Sequence, residues 1–135
     1  MIGRRWWLRV AVCVLIWPAA GASLADQRNF PFGSELLLDV NAMPGSKRVP
    51  SMDVAANGAI ALEMWCNRIE GQLVVAADTI TVLTGQATDR RCRAERVRGD
   101  ADLLSALTEA TTWRRQGDIV ELTGRRTLRF RLPTN

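Results

Sequence analysis

The chain of 135 residues contains no histidine and no tyrosine, and it has only three cysteines. Without histidine it cannot form a Ser–His or Cys–His nucleophile pair, and it lacks the commonest ligand of transition metals. Three cysteines without a C-x-x-C spacing cannot form a closed four-ligand zinc site. No serine has a Ser-x-x-Lys partner, and no two carboxylates have a spacing that argues for a catalytic pair. We therefore expect no enzymatic activity, no catalytic residue, no metal and no cofactor.

The first 25 residues have the organisation of a signal peptide. A basic stretch ending at Arg9 precedes an apolar run at 10–22, and Ala25 completes a small-x-small cleavage pattern. A membrane-spanning helix needs about 20 apolar residues, whereas this run is shorter and contains Pro18. We predict cleavage after Ala25, with Ala22 as the second choice, and a periplasmic or secreted protein. Paired arginines occur in both Sec and twin-arginine signals, so the export route stays open.

Cleavage would leave a single domain, residues 26–135, with two cysteines. Cys66 and Cys92 then have one possible pairing, and an oxidising compartment favours a structural disulfide between them. The alternative is a redox pair, but such pairs are usually close in sequence. Removal of three arginines lowers the formal charge from +4 to +1. We therefore expect no nucleic-acid partner, no transmembrane segment after signal removal, and a monomer.

Alternation of apolar and polar residues predicts a series of short strands with turns between them. The predicted strands are 35–40, 59–64, 72–76, 79–83, 112–116, 119–123 and 126–132. Two prolines and Gly45 predict a loop at 41–52, and the segment 85–98 reads as irregular and basic. Many short strands at close spacing indicate a mainly β (α+β) fold, an antiparallel curved sheet or barrel.

One segment, 100–110, changes to helical spacing. Leu103, Ala106 and Leu107 fall on one stripe of a helix, and Asp100 is the predicted N-cap. We expect this single helix to cover the open side or the end of the sheet.

A sequence motif begins at Cys66. Cys66, Asn67 and Gly71 form C-N-x-x-x-G, and Thr88 and Cys92 form T-x-x-x-C further on. With the helix and a terminal hairpin following in order, residues 33–132 resemble the META domain, the HslJ-like family of small exported bacterial proteins. The resemblance implies a β-rich domain with one helix, a link to stress response, and no established catalytic residue.

The motif residues themselves indicate structural roles. Asn67 tolerates left-handed backbone geometry and can form local hydrogen bonds. Gly71 can supply a bulge or allow a close approach of another strand. Cys66 would attach this turn to the segment after Thr88. Trp65 stands where the family usually has a glycine.

The densest charge run of the chain consists of five arginines within nine residues: Arg90, Arg91, Arg93, Arg96 and Arg98. Such a run can hold an anionic ligand or partner, for example a lipid headgroup, a lipopolysaccharide phosphate or an acidic protein. The alternative is a solvated segment whose arginines pair locally with nearby acids. Those acids are Asp89, Glu95, Asp100 and Asp102.

These features predict a non-enzymatic periplasmic protein that serves in envelope stress tolerance or binds a cell-envelope partner. One alternative is a lipocalin-like carrier of small ligands, which needs an apolar cavity open to solvent. Another is a secreted enzyme inhibitor, for which 41–52 would be the inserting loop. A third is a hydrolase that uses only carboxylates and arginine.

Overall fold

The computed structural model describes residues 29–134, so the predicted signal peptide at 1–25 lies outside the described residues. Eight strands pair in chain order into one closed antiparallel barrel, and a single helix connects the fifth strand to the sixth. Within residues 29–134, this confirms the predicted mainly β fold with one helix between its strands. The elements are β1 (Ser34–Leu38), β2 (Ser51–Val54), β3 (Ala59–Glu63), β4 (Arg68–Ala76), β5 (Thr79–Thr84), α1 (Ala94–Thr108), β6 (Thr112–Gln116), β7 (Ile119–Thr123) and β8 (Thr127–Arg131).

Apolar side chains fill the interior of the barrel. All eight strands contribute buried residues to one core cluster, because alternate side chains of each strand point inward. Phe130, Leu36 and Met52 are among the largest fully buried side chains. Leu103 and Leu107 of α1 join the same cluster, so the helix packs onto the barrel core, with contacts to β5 and β8. A filled core of this kind offers no chamber for the ligand of a lipocalin-like carrier.

The barrel closes most weakly between β5 and β6. These two strands share one register pair, Thr79 with Thr112, whereas β4 and β5 pair along six residues. Two further backbone hydrogen bonds hold the junction, from Ile80 to Thr111 at 3.0 Å and from Trp113 to Asp78 at 2.9 Å. Helix α1 packs against β5 and so covers the part of the strand that lacks a neighbour on this side.

The predicted loop at 41–52 is too long at its C-terminal end, because Ser51 and Met52 already belong to strand β2. The strand follows the buried Pro50, whose carbonyl accepts a hydrogen bond from the backbone of Leu38 at 2.9 Å. Four residues are too few for a clear periodicity. Pairing with β1 on one side and β3 on the other decides their conformation.

The helix also begins earlier than predicted, at Ala94 rather than at residue 100. Arg93 is the N-cap and forms no side-chain capping hydrogen bond, so the prediction that Asp100 caps the helix is wrong. The first turns of α1 are polar and Val97 is 46% exposed, so they have no apolar stripe that the sequence could reveal. The predicted strand 35–40 also ends earlier in the structure, because β1 stops at Leu38 and Val40 lies beyond it and is exposed.

Candidate functional site

The residues of the C-N-x-x-x-G and T-x-x-x-C motifs meet around the disulfide. The sulfur atoms of Cys66 and Cys92 are 2.11 Å apart. Oδ1 of Asn67 accepts two hydrogen bonds, from the hydroxyl of Thr88 at 2.9 Å and from the backbone N–H of Arg90 at 2.7 Å. Oγ1 of Thr88 in turn accepts from the backbone N–H of Arg68 at 2.9 Å. The motif thus fixes the segment before α1 to the start of β4.

Asp100 completes this cluster from the middle of α1. Its carboxylate accepts hydrogen bonds from the backbone N–H of Cys66 at 3.0 Å and from that of Asn67 at 2.7 Å. Asp100 is 5% exposed and is the buried charged residue of the described chain. Sequence reasoning missed this role, although one signal was present: Asp100 lies three residues before Leu103, on the apolar stripe of the helix. We call Cys66, Asn67, Thr88, Cys92 and Asp100 the motif cluster.

Gly71, the last residue of C-N-x-x-x-G, lies where β4 and β5 come very close. A methyl group on its Cα would lie 2.2 Å from the carbonyl oxygen of Leu83. No side chain fits there without moving the backbone of β5. The glycine therefore allows the close approach of the two strands.

The five arginines of the charge run lie next to the motif cluster, with Arg90, Arg91 and Arg93 before α1 and Arg96 and Arg98 on it. Arg90 approaches Glu63 at 4.0 Å, and the other four form no ion pair with any described residue. The acids expected to pair with them are not used in this way. Asp100 binds backbone N–H groups, and Asp89, Glu95 and Asp102 form no ion pair within residues 29–134. The local ion pairs of the alternative are therefore absent from the described residues, whereas the exposure of Arg90, Arg91, Arg93 and Arg98 agrees with a solvated segment.

Two adjoining clefts open beside these arginines. The first, of about 560 Å³, lies between residues 45–51 and residues 63–65. The second, of about 540 Å³, lies beside the disulfide. Gly45 and Arg96 line both. We call the two together the basic cleft; its cationic lining residues are Lys47, Arg48, Arg90, Arg91, Arg93 and Arg96.

Lys47 and Arg48 are the members of the basic cleft that sequence reasoning did not single out. They belong to the segment before β2, more than forty positions from the charge run, and no local pattern connects the two. Arg98, which the sequence grouped with the run, does not line either cleft. In the structure, Lys47 and Arg48 therefore belong to the site, and Arg98 lies outside it.

Arg96 has an unusual environment in this cleft. Its Nε atom is buried and has no hydrogen-bond partner among the described residues. The guanidinium lies under the loop, since a methyl group placed on Gly45 would be 3.7 Å from Nη2 of Arg96. A buried donor without an acceptor is uncommon in folded proteins, and here it lies at the junction of the two clefts.

The terminal strands carry a separate charged group. On the outer face of β6, β7 and β8, Arg114, Glu121 and Arg129 are neighbours in register. Arg114 donates a hydrogen bond to Glu121, and Arg129 approaches Asp39 at 3.7 Å. The hydrogen bond from Arg114 lowers the pKa of Glu121, and the charges of Arg114 and Arg129 lower it further, against an increase from desolvation. Arg114 and Arg129 are therefore paired with acids, whereas in the basic cleft Arg90 alone of the arginines has an acidic partner among the described residues.

Within residues 29–134, histidine, cysteine, aspartate and glutamate side chains form no group of three that could hold a metal ion. In the same range, no helix has the length and apolar character needed to cross a membrane.

The fold and the site define a class: a small closed β-barrel with a filled core, one covering helix, and a basic cleft anchored by a disulfide. The model of the META domain matches residues 36–134, and the chain belongs to the META domain family. No curated protein matches the sequence.

Three solved structures share the fold. A DUF4847 family protein from Bacteroides vulgatus has a TM-score of 0.50 and 13% identity, and the match covers 61% of this chain and 57% of that protein. The chain therefore spans less than two thirds of the length of that protein. A protein from Burkholderia xenovorans, solved by NMR, has a TM-score of 0.62 and 15% identity over 77% of this chain and 84% of its own. A further NMR structure has a TM-score of 0.57 and 17% identity, with coverages of 74% and 89%. Identities this low show similarity of fold alone.

Proposed function

We propose that this META domain protein is a non-enzymatic binding protein of the cell envelope that holds its partner at the basic cleft. The observation that carries the proposal is the cleft itself. Six cationic side chains line it, and one of them, Arg90, has an acidic partner, at 4.0 Å. Unpaired charges of one sign in a concave surface attract and orient a partner of opposite charge.

The walls of the basic cleft are held in place by the motif cluster. The disulfide joins Cys92, beside the arginines, to Cys66 at the start of β4. Asn67 and Asp100 fix the backbone on both sides of this bond. A surface that is ordered before binding loses less conformational entropy when the partner arrives, which favours a binding role for this face.

Export to the periplasm is part of the proposal. It is supported by the signal-peptide pattern of the first 25 residues and by the disulfide, since disulfides persist in oxidising compartments. Mass spectrometry of the protein isolated from the periplasm tests it. We expect a chain that begins after Ala25 or Ala22, and a periplasmic chain that retains Met1 would contradict the predicted cleavage.

The partner-binding proposal has a direct test in a pull-down from envelope extract. The double variant Arg91→Ser, Arg93→Ser removes two exposed charges from the basic cleft. The matched control, Arg125→Ser with Arg131→Ser, removes two exposed charges that do not line it. We expect the first variant to lose a partner that the wild type and the control retain. An identical set of partners for all three proteins would contradict the proposal.

The link of the family to stress response extends the proposal to envelope stress tolerance. A strain without the gene should survive heat or a membrane-active drug less well than the parent strain. The wild-type gene should restore survival, and the Arg91→Ser, Arg93→Ser gene should not. Full rescue by that variant would separate stress tolerance from the basic cleft.

The alternative of an enzyme inhibitor has less support. An inhibitory loop has to protrude and enter the active site of its target. Two points of the segment 41–50 instead lie against α1: a methyl group on Gly99 would be 2.6 Å from Cε of Met43, and one on Gly45 would be 3.7 Å from Nη2 of Arg96. The same segment supplies Lys47 and Arg48 to the basic cleft, which favours a role as one wall of a binding site.

A further inference from the structure

We infer that the ligand of the basic cleft is a phosphate group, carried by an envelope lipid or by a soluble phosphate compound. The inference rests on the proposed binding function and names the chemistry of the ligand. It has three supports: the uncompensated charge of the lining, the unsatisfied donor of Arg96, and the position of the arginines at the N-terminal end of α1.

The charge of the lining is strongly one-sided. Lys47, Arg48, Arg90 and Arg96 line the larger cleft, and Glu63 is its one acidic residue. Glu63 also contacts Arg68, outside the cleft, at 3.2 Å, so its charge is shared with a second arginine. An anion with more than one negative charge matches this excess better than a single carboxylate does.

Arg96 supplies a donor that still lacks an acceptor. Its Nε atom is buried, without a partner in the described chain, and its side chain lines both halves of the cleft. Leaving such a donor unsatisfied costs free energy. Because Nε is closed to solvent, an oxyanion at the junction would reach it once the guanidinium turns toward the cleft, and a tetrahedral phosphate has oxygens left to accept from Arg90 or Lys47 at the same time.

The smaller half of the cleft adds a third argument. Arg91 and Arg93 directly precede Ala94, the first residue of α1, where the helix dipole is positive. Cations at this end of a helix are unfavourable, and Arg93 gives the helix no side-chain cap. A bound anion would offset this repulsion. The dipole adds to the field of the arginines and does not by itself define the site.

Trp65 provides an optical probe of the site. It lines the larger cleft, and its indole packs against α1, because a methyl group on Gly99 would lie 2.7 Å from its Cδ1 atom. The other tryptophan of the described chain, Trp113, is 6% exposed and donates its N–H to the carbonyl of Ala77 at 2.8 Å. A change of fluorescence on ligand addition that is absent from the Trp65→Phe variant therefore reports on the cleft.

The first arm of the test titrates the protein, expressed from the full-length gene and purified from the exporting cells, with inorganic phosphate. Sodium chloride at equal ionic strength is the reference. The second arm uses phosphatidylcholine vesicles that contain phosphatidic acid, and compares them with vesicles that contain oleate at the same surface charge. We expect a saturable change with phosphate, with phosphatidic acid, or with both, and a weaker one with chloride and oleate. A response to inorganic phosphate indicates a soluble ligand, whereas a response to the phosphatidic acid vesicles alone indicates a lipid headgroup.

The variants Arg90→Ser and Arg96→Gln should each weaken this binding about tenfold, the usual effect of losing one charge-assisted hydrogen bond. Arg125→Ser with Arg131→Ser should leave it unchanged. Thermal unfolding checks that each variant is folded. If Arg96→Gln does not fold, Arg90→Ser, which changes an exposed side chain, decides the test.

Three results would overturn the inference: no saturable response to either phosphate probe, equal affinity for oleate and phosphatidic acid vesicles together with no response to inorganic phosphate beyond that to chloride, or unchanged affinity in Arg90→Ser. None of them overturns the proposed function by itself. If the envelope pull-down still depends on Arg91 and Arg93, the cleft binds a partner of other chemistry. If that dependence is absent as well, both the function and the ligand are wrong.

Discussion

At the scale of single residues, Asp100 makes buried polar contacts that bear directly on stability. Its carboxylate accepts from the backbone N–H groups of Cys66 and Asn67. Asp100→Ala leaves both donors without a partner, and we expect it to lower the free energy of unfolding by about 3 kcal/mol. Urea denaturation measures the change.

Asp102→Ala is the matched control for this prediction. Asp102 lies on the same helix and is exposed, and its carboxylate forms no hydrogen bond or ion pair with a described residue; its carbonyl, which alanine keeps, accepts from Arg126. We expect a change within about 0.5 kcal/mol. Equal destabilisation by the two variants would show that the hydrogen bonds of Asp100 do not matter for stability.

Glu121 gives the residue-scale prediction for pH. The hydrogen bond from Arg114 lowers its pKa in the folded protein. The resulting stabilisation is therefore complete above the unfolded-state pKa and is lost as the pH falls through the lower folded-state pKa. Glu121→Gln should make the free energy of unfolding depend less on pH across this acidic range, measured by denaturation at a series of pH values. Arg114→Gln should act in the same direction. An unchanged pH profile in Glu121→Gln would contradict the assignment.

At the scale of elements, the disulfide attaches the segment before α1 to the start of β4. A closed loop with a sequence separation of 26 is expected to contribute about 3.5 kcal/mol through the entropy of the unfolded chain. We expect the double variant Cys66→Ser, Cys92→Ser to lose about this much stability.

In the exported wild-type protein, denatured without reductant, thiol titration should detect no free thiol. Two reactive thiols per chain would contradict the pairing.

The elements also show which local signals are reliable. The hairpin of β4 and β5 and the three terminal strands follow the alternation of the sequence, because each has an inner apolar face and a mainly polar outer one, with Val74 and Leu83 as exposed apolar exceptions. Strand β2 and the first turns of α1 do not stand out in the sequence. The strand is short, and the polar start of the helix is fixed by the disulfide and by packing around Gly99.

At the scale of the whole molecule, the junction of β5 and β6 is the weakest part of the barrel. The amide of Ile80 donates to Thr111 across it, and by alternation the amides of Val82 and Thr84 point the same way without a paired strand. We expect these two amides to exchange with deuterium faster than that of Ile80, measured by NMR. Equal protection of all three would show that α1 seals the junction as well as a paired strand would.

The sequence by itself determined the class of fold, the pairing of Cys66 with Cys92 that is expected once the predicted signal peptide with Cys13 is removed, and the resemblance to the META domain. These depend on alternation, residue counts and short motifs, which are local properties of the chain. The tertiary structure alone decided that Asp100 binds the backbone 34 positions away, and that Lys47 and Arg48 face Arg90 and Arg96. Strand register and barrel closure bring these distant segments together, and no local pattern in the sequence encodes either.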